Sequence, residues 1–93
     1  MEKGREEINV YTKAQKAQIM RIGNLYSKQF SEQSLIKELW KIFTATWRSY
    51  RIPDGVLVKA PNDNGLSFTL RFDYVKGQKN TYTLFEFFAE NPR

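Results

Sequence analysis

The sequence predicts a small α+β domain: two N-terminal helices packed on a C-terminal three-stranded antiparallel sheet, in the order ααβββ. Three observations carry this. Apolar residues recur at helical spacing between Thr12 and Arg51. Beyond Pro53 the period drops to two, with Phe68, Leu70, Phe72 and Tyr74 alternating with Ser67, Thr69, Arg71 and Asp73. The 93 residues fit one domain, 1–93.

Taken in order, residues 1–10 are charged, and the alternation in Glu7-Ile8-Asn9-Val10-Tyr11 fits either a short extra strand or a frayed end. Thr12 is a suitable N-cap for a first helix whose apolar face is Ile19, Ile22, Leu25 and Tyr26. Gly23 inside it marks a close helix approach, a bend or an early stop. Ser27-Lys28-Gln29-Phe30 reads as a link. Ser31 caps a second helix, with Glu32 in the first turn and Phe30 and Leu35 placed as a hydrophobic staple. That helix is expected to run to Arg51, because Pro53 disfavours helix at Ile52.

Pro53-Asp54-Gly55 is a turn, Val56–Ala60 a strand, and Pro61-Asn62-Asp63-Asn64-Gly65 a dense turn signal. Leu66–Val75 is a half-buried strand, Lys76–Asn80 a hairpin loop and Thr81–Phe88 the third strand, followed by a tail. The third strand breaks the pattern. Tyr82 and Leu84 face one way, Phe85 and Phe87 the other, so both sides carry bulk.

Composition limits the chemistry. There are no cysteines and no histidines, which removes disulfides, thiolate–zinc sites and every Ser-His or Cys-His arrangement. The carboxylates show no metal-site spacing. Asn62-Asp63-Asn64-Gly65 resembles part of a calcium loop, but no Glu follows at the required position. The five glycines are scattered and make no phosphate loop. The expectation is a protein that is not an enzyme, with no cofactor and no metal. No apolar run approaches the ~20 residues of a membrane span, and MEKGREEINV has no apolar signal region. A cytoplasmic setting with no membrane partner is therefore expected.

Fifteen Lys+Arg against ten Asp+Glu give a formal +5, a surplus that favours negatively charged partners. If the second helix continues to Arg51, Lys37, Lys41, Arg48 and Arg51 share one stripe within about 80° of arc. Leu35, Leu39, Ile42, Phe43, Thr46 and Tyr50 lie on the opposite, core side. Trp40 and Trp47 then lie on one flank, seven residues apart. They serve either as the edge of the core, with each indole N–H turned outward, or as stacking surfaces beside the basic stripe. Lys76 and Lys79 add a basic hairpin, which also fits the wing of a winged helix.

The function expected is a small non-catalytic basic protein contacting nucleic acid or an acidic, nucleoprotein surface through Lys37, Lys41, Arg48 and Arg51, with Trp40, Trp47, Lys76 and Lys79 as further contacts. The alternative is a protein-interaction module, such as an inhibitor or adaptor encoded by a bacterial phage or mobile element, that binds its partner with exposed aromatics. A homodimer through the last strand, covering Phe85 and Phe87, is compatible with either.

Overall fold

A computed structural model describes residues 11–44 and 46–91. The extra strand or frayed end expected in residues 1–10 lies outside them. The chain forms α1 (Lys13–Gly23), a 3-10 turn (Asn24–Ser27), β1 (Gln29–Ser31), α2 (Glu32–Ile42), β2 (Arg48–Ile52), β3 (Gly55–Asp63), β4 (Leu66–Val75) and β5 (Gln78–Glu90). The strands make one antiparallel sheet in the order β1-β5-β4-β3-β2. The α+β class stands, but the sheet has five strands where three are expected. The link before the second helix contributes β1, and the expected C-terminal part of that helix is instead β2.

Both helices begin as their caps predict. Thr12 accepts from the Gln15 amide at 3.1 Å while the Gln15 side chain accepts from the Thr12 amide at 2.9 Å, a complete capping box. Ser31 accepts from the Ser34 amide at 3.2 Å, and both staple residues, Phe30 and Leu35, are buried. Gly23 ends α1; no atom lies close to where its side chain would be, so it marks an early stop and no close helix approach.

α2 stops at Ile42, nine residues before Arg51, and Phe43 is already extended. The stop is built by side chains. The Ile42 carbonyl, one of the acceptors a helix C-terminus leaves unpaired, receives the Gln18 amide at 3.0 Å. Gln18 also donates to Asp63, which accepts from the Thr44 hydroxyl at 3.1 Å. Asp63 is fully buried, and this network ties α1, the end of α2 and the β3–β4 turn together. Beyond it, the β-branched and aromatic residues Thr46, Trp47, Tyr50 and Ile52 suit an edge strand against β3. Tyr50 lies opposite Leu57 and is 45% exposed, so it leaves the core that a continuous helix would give it.

Two bulges set which side chains face inward. Between Ala60 and Asp63, β3 carries one residue more than β4. Asn62, at φ 59°, takes up the extra residue, and Asp63 turns to the core side beside Leu66. Asn64 and Gly65 then close the hairpin, both with positive φ, as an Asn-Gly pair prefers. The second bulge lies in β5. Arg71 pairs Glu86 whereas Phe72 pairs Leu84, so Phe85 is the extra residue. This resolves the broken alternation: Tyr82, Leu84, Phe87 and Ala89 all face inward, and Phe85 is pushed out. At the β2–β3 turn, Gly55 is obligatory. Its φ is 157°, and a Cβ there would lie 2.0 Å from the Phe72 carbonyl oxygen.

The inward face of the sheet, with Val58, Ala60, Phe68, Leu70, Phe72 and Leu84, forms one cluster with Ile22, Leu25, Leu35, Leu39 and Ile42 from the helical layer. Among the described residues, no helix lies on the opposite face. Its rows run Arg48–Lys59–Thr69–Phe88 and Tyr50–Leu57–Arg71–Glu86. Among the described residues, no helix is long and apolar enough to cross a membrane.

Candidate functional site

The predicted basic stripe is split in two. Lys37 and Lys41 lie exposed on α2. Arg48 and Arg51 lie on β2, where the two-residue period puts them on opposite faces of the sheet. Arg48 stands beside Lys59 on the bare face, and Arg51 beside Val56 on the helical side. Arg51 Nη1 donates to the Tyr74 hydroxyl at 3.3 Å. The four cations therefore do not share a flank, because the helix that would align them ends at Ile42.

Trp40 and Trp47 do meet, though not by helical spacing. The chain reverses between them, and the rings lie 5.3 Å apart at 57°. Trp40 is 60% exposed. Trp47 is half-buried against the core, and its buried Nε1–H has no acceptor among the described residues. Trp47 closes the edge of the core, with its N–H buried rather than turned outward as expected, and Trp40 stands in solvent. Lys76 and Lys79 are exposed at the β4–β5 turn, around a depression they share with Asp54 and Asp73. They are separate from the other predicted residues, and a five-stranded antiparallel sheet leaves no winged-helix arrangement. Of the pair proposed for a dimer, Phe85 is exposed on the bare face, whereas Phe87 faces inward opposite Leu70.

The fold does gather charge, in a place the stripe did not include. Arg21 at the end of α1, Lys28 after the 3-10 turn and Lys41 near the end of α2 line one shallow depression of about 250 Å³, floored by Leu25 and Ile42. One acid, Glu38, shares it, 3.8 Å from Lys41. The helical layer around this depression is one-sided. From residue 13 to 42 there are six cations (Lys13, Lys16, Arg21, Lys28, Lys37, Lys41) and two acids (Glu32, Glu38), a net +4. From residue 43 to 91 there are six cations and five acids, a net +1.

On the bare face Arg71 and Lys59 are engaged, while Arg48 makes no ion pair among the described residues. Arg71 donates from Nε to Asp73 at 2.8 Å and from Nη2 to Asp54 at 3.1 Å. Its guanidinium also lies 4.6 Å from the Phe85 ring centre. The hydrogen bond to Asp73 is the main reason its pKa is raised above the ordinary value. Lys59 lies 5.9 Å from the Tyr50 ring. Sequence reasoning missed Arg21 and Lys28 as site residues; the available signal was that α1 carries Lys13, Lys16 and Arg21 and no acid.

A second concavity, of about 310 Å³, opens between α2 and the inward face of β2 and β3. α2 packs chiefly against β1 and β5, which leaves the β2 side of the sheet partly uncovered. Glu32, Leu35, Ile36 and Leu39 line it from α2; Trp47, Ser49, Arg51, Val56, Val58 and Tyr82 line it from the sheet side. No family model, no curated protein and no solved structure matches the chain.

Proposed function

We propose that this is a small non-catalytic binding protein of the cytoplasm whose helical layer docks on a polyanion, nucleic acid or nucleoprotein. The observation that carries the reading is the convergence of Arg21, Lys28 and Lys41 on one depression within a layer of net +4. Three elements hold these cations, so the folded chain presents a fixed cluster where an extended one would present scattered charges. Phosphates along a backbone are the natural counter-surface, and each neutralised phosphate releases a counterion. Lys37, Lys13 and Lys16 extend the basic field around the depression.

The test is a titration of labelled nucleic acid at two salt concentrations. For about three phosphate contacts, affinity should fall roughly 40-fold between about 50 and about 200 mM salt. Binding that ignores salt, or no binding at low salt, removes the reading.

A second reading is favoured by Trp40. A tryptophan 60% exposed, its ring tilted against that of Trp47, which lines the α2–β2 cleft, suits the anchor of a protein interface, as an inhibitor or adaptor of a bacterial phage or mobile element would use. A pull-down from bacterial lysate after nuclease treatment tests it. A protein retained by the native chain and lost with Trp40→Lys supports this reading; equal retention by both chains contradicts it.

A further inference from the structure

β2 ends the sheet on its side, and no other described strand pairs with its outer edge. Four of its five residues are exposed and the fifth is half-buried. Such an edge presents unpaired N–H and C=O groups to any extended chain alongside. The α2–β2 cleft adjoins that edge. A strand laid along β2 would send alternate side chains to the helical side of the sheet, toward Ile36, Trp47 and Val56.

Charge selects the occupant. Arg48 and Arg51 sit on opposite faces of β2, and neither makes an ion pair among the described residues. Arg48 lies directly opposite Lys59 on the bare face, and Lys59 likewise makes no ion pair among the described residues. An acidic side chain on the bare side of an added strand would meet these two cations. Resting on the second reading above, we propose that β2 accepts an extended acidic segment of a partner protein by strand addition, its alternate apolar side chains seated in the α2–β2 cleft.

The probes are three short synthetic peptides: one alternating Val with Glu, one with Lys in place of Glu, and one with Glu and alternate backbone nitrogens methylated. Binding is followed by NMR of the native chain, reading the indole N–H signals of Trp40 and Trp47 and hydrogen exchange of the β2 amides. The expected result is that the Glu peptide binds at least tenfold tighter than either of the others and slows exchange in Arg48–Ile52. Arg48→Glu should weaken it at least tenfold. If the methylated peptide binds as well as its parent, or the indole signals move while β2 exchange stays unchanged, strand addition is overturned and the protein-partner reading survives. Binding by none of the three also overturns the inference. The second reading is then still decided by the Trp40→Lys comparison.

Discussion

The helical layer and the bare face of the sheet both carry cations and exposed rings, yet they present them differently. On the bare face Arg71 is held by Asp73 and Asp54, and Glu86 and Glu90 share the surface. In the helical layer two acids face six cations, and the single ion pair there among the described residues, Glu38–Lys41, spans 3.8 Å. Exposed pairs of that kind contribute little. A count of charges treats the two surfaces alike; the fold makes one a nearly neutral mosaic and the other a positive field. The same contrast holds for packing. Phe72 on the inner face is completely buried, while Phe88 on the bare face is 53% exposed.

The largest effect should come from that packing contrast. Phe72→Ala leaves a void between the sheet and Phe30, whose ring meets Phe72 edge-on at 6.3 Å, and should cost about 3–5 kcal/mol. Phe88→Ala should stay within about 0.5 kcal/mol. Thermal unfolding of the two variants compares them, and equal losses would mean that the bare face is also covered.

The next effect concerns the network that ends α2. Asp63→Ala removes an acceptor from one Gln18 N–H and from the Thr44 hydroxyl and should cost about 1–3 kcal/mol in denaturant unfolding. A loss below a few tenths would mean that the Ile42 stop does not depend on it.

The charge contrast predicts a difference in affinity. Reversing Arg21 and Lys41 to Glu should weaken nucleic-acid binding by roughly tenfold per contact at about 0.1 M salt. The same reversal of Lys59 and Arg71 should change it far less.

The smallest effect is alkaline. Burial raises the Tyr82 pKa above its ordinary 10.0, so folding favours the neutral phenol. The stability this contributes is complete below about pH 10 and is lost as pH rises through the raised pKa. Tyr82→Phe should flatten that part of the pH–stability curve. An unchanged slope would show that the phenol titrates as in the unfolded chain.

Local signals were legible in the sequence. Thr12 and Ser31 cap helices, Asn64-Gly65 closes a hairpin, and Leu66–Val75 is the strand its alternation describes. The segment from Phe43 to Ile52 was not. Its cations and rings fit a helical wheel as well as they fit a short strand, and the choice rests on pairing with β3, a contact outside the segment. The Phe85 bulge changes which side chains face inward without changing composition, so parity alone suggests two bulky faces. β1 is three residues long, and its last residue, Ser31, also caps α2. The basic depression was invisible for a related reason. Arg21, Lys28 and Lys41 come from separate elements, and only their packing brings them together.

The central claim is that the helical layer is the surface for the polyanion. It is tested most directly by NMR shift mapping of the native chain with a short DNA oligonucleotide at low salt. The account predicts perturbations concentrated in Lys13–Ile42, strongest around Arg21, Lys28 and Lys41, and fading as salt is raised. Perturbations centred on Lys59, Thr69, Arg71 and Phe88 would contradict it, as would a spectrum that the oligonucleotide leaves unchanged.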